Sequence, residues 1–417
     1  MAWHLLYLSI TRASLQEGPR AGTSGNRLRS CLVVAEIALS LVLLAGAGLL
    51  LRSFLKLESI KPGFNPGHLL TFQISPAGAG YQEDSRLVSF YTALLERLAA
   101  IPGVQAAGAV NTLPLDKGPY YGYFIEKDPP YTVETQRAAN FRTVSAGYFR
   151  VMGVPLLSGR TFTSADTADA PGVVIINRSL AQRDFPDVDP VGQRLGFGSS
   201  NGKINWRRIV GVVDDFKNDG LASSTMPEAY RPYVQVPFTT MSFVIRAVGE
   251  PTVLANAIRA EAYDLDKNQP ASHIATMDQL LADTIAGPRF NMVLLASFAA
   301  VALIMAASGI YAVMSYAVTV RTHEIGVRLA LGAKTMDVLR LVLGKAMVLA
   351  FAGIVIGIAG TYGLSRLMSS LLFGVAPTDR PTLFVVSIGL AAVALVAAYI
   401  PARRALGVDA MTALRQE

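Results

Sequence analysis

The sequence has little charge and almost no cysteine. Only 16% of its 417 residues are Asp, Glu, Lys or Arg, whereas 52% are hydrophobic. About 25% charged residues are usual in a soluble protein, so the composition disfavours a soluble enzyme and favours a membrane protein. Cys31 is the only cysteine, which excludes an intramolecular disulfide and a cysteine-based zinc cluster.

Motifs for nucleotide, zinc or nucleophile chemistry are also missing. No G-x-x-x-x-G-K-[ST] loop occurs, because Gly344-Lys345 is followed by Ala346 where a hydroxyl must bind magnesium. His323-Glu324 has no second histidine four positions after the first, so it is no zinc-protease helix. The four histidines are scattered and no nucleophile elbow is present. We therefore predict no catalytic residue, no metal and no cofactor on this chain.

Two weaker patterns have simpler interpretations. Ser53 and Lys56 have the spacing of a serine-lysine dyad, but they follow an apolar run, where a lysine anchors a helix at the membrane interface. Asp215 and Asp219 resemble part of a calcium loop, but Lys217 occupies a ligand position. A solvated turn is the favoured interpretation of that loop.

Four long apolar runs divide the chain. Each has about the 20 residues that a helix needs to cross a hydrocarbon core. The first has no small-residue cleavage site after it, which is typical of an uncleaved signal anchor. The predicted transmembrane helices cover residues 31–53, 289–320, 346–366 and 383–402.

Two features inside these runs suggest helix contacts. Gly353, Gly357 and Gly360 are spaced three and four residues apart, which lets another helix approach closely. Glu36 lies about one and a half turns into the first helix. It either faces a bundle interior or, as we favour, snorkels to the interface or pairs with a base such as Arg29.

Basic residues are concentrated in three short segments, 1–30, 321–345 and 403–417. Because cytoplasmic segments are enriched in Lys and Arg, we predict that these three lie in the cytoplasm. Residues 54–288 and the 367–382 loop then lie outside. Topology explains the net charge of +7, so nucleic acid is not a predicted partner.

The external segment, 54–288, has the pattern of a folded domain in which strands and helices alternate. We predict one α+β subdomain made of two distant βαβ halves, at about 65–140 and 236–288, with a β-rich insert at about 141–235. The fold class is thus an α-helical membrane protein of four transmembrane helices, 1+3, with a large α+β domain between helices 1 and 2. Predicted strands cover 69–75, 104–110, 242–248 and 271–277, and predicted helices 85–101 and 251–266.

The charged segment 321–345 begins with the signature of a short helix. Thr322 is a plausible N-cap, and Gly332 is the expected C-terminal stop. Glu324 pairs at i,i+4 with Arg328 in the favourable direction. These signals predict a helix of about two or three turns before the third span begins.

Apolar residues remain on this short helix, namely Ile325, Leu329 and Leu331. One interpretation is an interfacial amphipathic helix on lipid headgroups. The other is a rigid surface that a cytoplasmic protein binds.

Several stretches resemble the FtsX-like permeases with a MacB-like periplasmic core domain, which are membrane subunits of ATP-binding-cassette (ABC) systems of the mechanotransmission type. The resemblance runs from about residue 27 to the end, and its N-terminal part is similar to the second half of duplicated orphan permeases. It is carried by "RTHEIGVRLALGA", "RTVSAGYFRVMGVPLLSGRTF", "RRIVGVVDDF" and "PARRALGVDAMTALRQE".

The resemblance implies that 322–333 is a coupling helix for a partner ABC ATPase, which would bind ATP and magnesium. The chain would then be the permease subunit of a type VII-like system in the inner membrane, coupling ATP hydrolysis to motion of its periplasmic domain for export or efflux. The implied coupling residues are Thr322, Glu324, Ile325, Gly326, Arg328, Leu329, Leu331, Gly332 and Ala333.

The size of the chain and the family resemblance suggest further partners and an alternative function. A four-span chain is too small to enclose a wide path, so a second permease copy or a homologous half is expected, with the spaced glycines at close contacts. A periplasmic adaptor is a further implied partner beside the lipid bilayer. A signalling or regulatory subunit without transport is the alternative function, and a membrane-anchored enzyme is disfavoured because no catalytic set is present.

Overall fold

The computed structural model describes residues 22–200, 203–218, 220–320, 335–368, 372–376 and 379–406. The chain divides into two compact units. The helical unit comprises the chain up to Glu58 and from Gly287 onward. The inserted domain is Ser59–Ala286.

Helices and strands follow one another along the chain as the alternating pattern predicts. The helices are α1 (Gly22–Glu58), α2 (Asp84–Ala100), α3 (Tyr148–Met152), α4 (Arg178–Asp184), α5 (Ala255–Leu265), α6 (Met277–Val320), α7 (Thr335–Met368) and α8 (Arg380–Leu406). The strands are β1 (Leu69–Ile74), β2 (Val104–Val110), β3 (Tyr120–Ile125), β4 (Arg137–Val144), β5 (Leu156–Gly159), β6 (Val173–Asn177), β7 (Arg194–Ser200), β8 (Lys203–Val213), β9 (Glu228–Pro232), β10 (Met241–Ala247) and β11 (Ser272–Thr276).

The first part of the inserted domain is an antiparallel sheet in the order β11-β1-β10-β2. The two strands of each βαβ half are separated by a strand of the other half, so the halves interlock. Helices α2 and α5 cover one face through residues at helical spacing, including the fully buried Leu94, Leu98 and Ile258. Neither half can bury its apolar face without the other.

The second part is a closed barrel of six strands. The pairings run β4-β3-β7-β8-β6-β9 and return from β9 to β4, with β4–β9 and β6–β8 parallel. Residues alternate between its interior and exterior, and Phe141, Ile176 and Ile209 are buried inside. The fully buried Leu180 of α4 packs into this core where β6 ends. The barrel begins at Tyr120, earlier than the boundary of about 141 expected from the sequence.

A buried arginine joins the barrel to two loops. Arg142 of β4 is fully buried, and its Nε donates to Glu228 Oε1 at 2.6 Å. Its guanidinium also donates to the carbonyl oxygens of Leu113, at 2.9 Å, and Asp116, at 3.0 Å. A further donation reaches the carbonyl oxygen of Asn218 at 3.2 Å. These bonds satisfy a buried charge and fix the loops that follow β2 and β8.

Candidate functional site in the helical unit

Among the described residues, four helices are long and apolar enough to cross a membrane, by length and composition. In the helical unit, α1 packs against both α7 and α8. The buried contacts use many small residues, as expected where helices associate without a hydrophobic driving force. The buried core residues are Val33, Ile37 and Leu41 of α1, Ala306, Ile310 and Met314 of α6, Val342, Ala346 and Ala350 of α7, and Leu390, Ala394, Ala397, Ala398 and Ala402 of α8.

The three spaced glycines of α7 lie against α1 of the same chain. A Cβ atom on Gly353 would lie 2.6 Å from Cγ2 of Ile37, and one on Gly357 would lie 2.9 Å from the carbonyl oxygen of Ala38. The contact at Gly360 is less close, since a Cβ atom there would lie 3.3 Å from Cγ2 of Val42. Glycine therefore sets the separation of these two helices.

Glu36 faces α6 instead of pairing with Arg29. A Cβ atom on Gly309 of α6 would lie 2.4 Å from Oε2 of Glu36, and this oxygen has no hydrogen-bond partner among the described residues. The guanidinium of Arg29 lies over the ring of Tyr316, 4.3 Å from its centroid. The interpretation of Glu36 as a partner of Arg29 is therefore not what the structure shows.

The C-terminal end of α1 is tied to the connection between α7 and α8. Arg52 forms an ion pair with Asp379, which also caps α8 by accepting from the hydroxyl of Thr382 at 2.6 Å. Lys56 Nζ donates to the carbonyl oxygen of Gly374 at 2.6 Å, and Ser53 Oγ accepts from the Phe373 backbone N–H at 2.7 Å. Ser53 and Lys56 thus serve this attachment, so their spacing has a structural explanation.

The predicted coupling residues lie outside the described residues. They fall in 321–334, between the last residue of α6, Val320, and the first residue of α7, Thr335. This applies to Thr322, Glu324, Ile325, Gly326, Arg328, Leu329, Leu331, Gly332 and Ala333.

The loop with a weak calcium pattern has a structural role in the described part of the chain. Asp215 accepts from the Ser179 backbone N–H at 3.0 Å and from its hydroxyl at 2.7 Å, at the start of α4. No group of three potential metal ligands occurs among the described residues, and Asp219 lies outside them.

Four span-like helices with one large α+β domain between the first and the second are the arrangement of a multi-pass membrane protein with an extracytoplasmic domain. Residues 30–265 match the MacB-like periplasmic core domain family, and residues 296–410 match the FtsX-like permease C-terminal family. The chain belongs to the family of ABC permeases that carry a MacB-like periplasmic core domain. The family and the fold class predicted from the sequence are confirmed.

Curated relatives extend beyond the region that this chain matches. The macrolide export ATP-binding/permease protein MacB of Agrobacterium fabrum is 29% identical over 374 residues, covering 82% of this chain and 56% of that protein. The probable syringafactin export ATP-binding/permease protein SyfD of Pseudomonas syringae pv. tomato is 27% identical, covering 67% of this chain and 42% of that protein. The chain spans about half the length of the curated relatives it matches. A crystal structure of the periplasmic region of MacB from Actinobacillus actinomycetemcomitans is 18% identical, covers 54% of this chain and 95% of that chain, and has a TM-score of 0.37.

Sequence reasoning missed the barrel and the buried arginines of its strands, of which Arg207 and Arg231 face the interior and Arg142, next to the interior Phe141, faces outward. Arg142, Arg207 and Arg231 lie in strands whose interior face is set only by pairing with distant strands. The one local signal is the pair Arg207-Arg208 before the apolar run of β8, and it does not show which of the two is buried.

Proposed function

We propose that this chain is the permease subunit of an ABC export system in the cytoplasmic membrane, driven by a partner ATPase. The observation that carries the proposal is the FtsX-like permease match over 296–410, a region that encloses the charged segment 321–334 between two spans. The relatives named for macrolide or syringafactin export combine ATP-binding and permease functions in one protein. The two family matches of this chain are permease domains, and in this proposal ATP and magnesium bind to a partner ATPase.

Helix α6 provides the route by which such a partner would act. It runs without a break from Met277 to Val320, 44 residues, or roughly 66 Å at 1.5 Å per residue. Its C-terminal end leads directly into 321–334, where the ATPase would bind. At its N-terminal end, Met277, Leu280 and Leu281 belong to the core of the inserted domain. A push on the charged segment would therefore reach that domain through one continuous helix.

The other spans supply a fixed frame for this movement. The apolar window of α1 is 44% buried within the chain, whereas that of α6 is 17% buried. The attachment of α1 to Asp379 and Gly374 holds α1, α7 and α8 together. In this proposal α6 moves against them, and a second permease copy or a homologous half covers its exposed apolar surface.

Association with the cognate ATPase tests the proposal. We expect wild-type chain to co-purify with that ATPase from a mild detergent. Leu329→Asp would place a charge in a desolvated groove, at a cost of several kcal/mol, and Gly326→Pro would break the short helix at about 3 kcal/mol. Both should reduce co-purification.

The matched control is Lys334→Gln, which removes a charge just beyond the predicted helix and should leave association unchanged. A lipid-surface helix gives the opposite ranking, because each basic residue would contribute about 1 kcal/mol of attachment to anionic lipid. If Leu329→Asp associates like wild type, the proposed contact with an ATPase is wrong.

A further inference from the structure

The open end of the six-stranded barrel contains two arginines that face a cavity of about 690 Å³. This end, the barrel mouth, lies where β9 ends and β6 begins, away from α4. Its lining includes Tyr121, Phe141, Phe197, Arg207, Arg231 and Phe238.

Strand alternation directs both arginines inward. Arg231 is two residues after the fully buried Ala229 on β9, and Arg207 is two residues before the fully buried Ile209 on β8. Ala229 and Ile209 belong to the barrel core. Arg208, which points the other way, is exposed.

Neither inward arginine has an acidic partner within the part of the chain that the structure describes. Arg207 is only 7% exposed, and among the described residues its side chain makes one hydrogen bond, from Nη1 to Gln235 Oε1 at 2.8 Å. The Nε atoms of Arg207 and Arg231 are buried and have no hydrogen-bond partner in the described ranges of the chain. The same holds for the buried hydroxyl of Thr143, opposite Arg231 on β4.

The charges of Arg207 and Arg231 repel each other, which raises the free energy needed to keep both arginines protonated. Burial, followed by the nearby charge of Arg207, lowers the pKa of Arg231 to about 10. Burial alone lowers the pKa of Arg207. The rings of Phe141 and Phe197, 5.4 and 5.9 Å from the Arg231 guanidinium, compensate only in part. An unpaired buried charge destabilises a fold unless something neutralises it.

We propose that the barrel mouth binds an organic anion, with a carboxylate or phosphate group on the two arginines and an apolar or aromatic body against Phe141, Phe197 and Phe238. The guanidinium fork matches the oxygens of both groups. The cavity has the size and the mixed apolar and polar lining of a small-molecule site, and the mouths of β-barrels are among the places where such sites occur.

The test is calorimetric titration of the full chain in zwitterionic lipid discs, without ATPase or nucleotide, so its outcome is independent of the proposed function. The probes are naphthoate, naphthyl phosphate and the neutral naphthamide. We expect one or both anions to bind and the amide to bind about 10-fold more weakly or not at all. Preference for one anion identifies whether the natural group is a carboxylate or a phosphate.

Arg231→Gln and Arg207→Gln should each weaken anion binding about 10-fold or more. Arg208→Gln, the same change on the adjacent outward residue, should leave it unchanged. Arg231→Gln should unfold at the wild-type temperature or higher, since it removes a partly buried charge that has no acidic partner among the described residues. Loss of binding by this variant would then not be caused by loss of the fold. Absence of binding by both anions, equal binding of the amide, or equal weakening by Arg208→Gln would overturn the proposal.

Discussion

Gly357 of α7 lies against the backbone of Ala38 in α1, at a distance that admits no side chain. A Cβ atom there would be 2.9 Å from the Ala38 carbonyl oxygen and 2.9 Å from Cβ of Leu41. Backbone atoms cannot give way as a flexible side chain can. We expect Gly357→Val to separate the helices and to lower the free energy of unfolding by about 1 to 3 kcal/mol. Thermal unfolding of the full chain in lipid discs measures the loss.

Gly363 provides the control for this change. It lies on the same helix, and nothing lies within 4 Å of a Cβ atom placed on it. Gly363→Val adds the same atoms and should leave the unfolding temperature close to wild type. Equal stability of the two variants would show that α1 and α7 do not pack in this way.

Membrane topology can be tested with introduced cysteines after Cys31→Ser has removed the native thiol. We expect an impermeant maleimide applied from outside to label Ser200→Cys in the inserted domain. Ser24→Cys, near the start of α1, should react only after the membrane is permeabilised, because it lies in the basic segment 1–30, which we predict to be cytoplasmic. The reverse labelling pattern would show that the inserted domain faces the cytoplasm, which would contradict the proposed mechanism.

Removal of Arg142 should destabilise the inserted domain strongly. Arg142→Met leaves Glu228 buried and uncompensated, which costs about 3 to 5 kcal/mol. Amide hydrogen exchange of the full chain should show lost protection in β4 and β9. The double variant Arg142→Met with Glu228→Gln removes both charges and should regain part of the stability. If it is no more stable than Arg142→Met, the ion pair is not the cause of the loss.

Asp184 makes the stability of the barrel depend on pH. Burial alone would raise the pKa of this carboxyl group, but hydrogen bonds from Arg183, Tyr123 and Arg137 outweigh burial and lower it from the usual 3.8. Since the folded pKa lies below the unfolded one, the carboxylate contributes its full stability above pH 3.8, and this contribution is lost as the pH falls through the folded pKa.

In the wild-type chain, we expect β3 and α4 to lose protection against amide hydrogen exchange when the pH is lowered below 3.8. Asp184→Asn should be less protected at neutral pH and should respond less to acid. Identical acid profiles for the two proteins would exclude Asp184 as the titrating group.

Local patterns in the sequence predict much of this fold, because helix and strand periods depend on neighbouring residues. The predicted strand 104–110 coincides with β2, and the predicted helix 85–101 differs from α2 by one residue at each end. The closed barrel was not predictable in this way, since it depends on the parallel pairing of β4 with β9 from a distant part of the chain.

In the candidate sites, too, local features were predictable from the sequence and features that depend on distant parts of the chain were not. Arg207 and Arg208 are adjacent and chemically identical, yet one is buried and the other exposed. Only strand register decides between them. The spaced glycines were recognisable because their spacing is local, whereas their position against α1 of the same chain required the structure.

The most direct test of the proposed function is the rate of ATP hydrolysis by the cognate ATPase in lipid discs, with and without this chain. We expect wild-type chain to change the rate and Lys334→Gln to act like wild type. Leu329→Asp should abolish the effect, because a charge in a desolvated groove costs several kcal/mol. The account would be contradicted if the Leu329→Asp chain changed the rate of ATP hydrolysis as the wild-type chain does, while neutralisation of Arg328 and Lys334 abolished that change. This result would identify 321–334 as a lipid-surface segment.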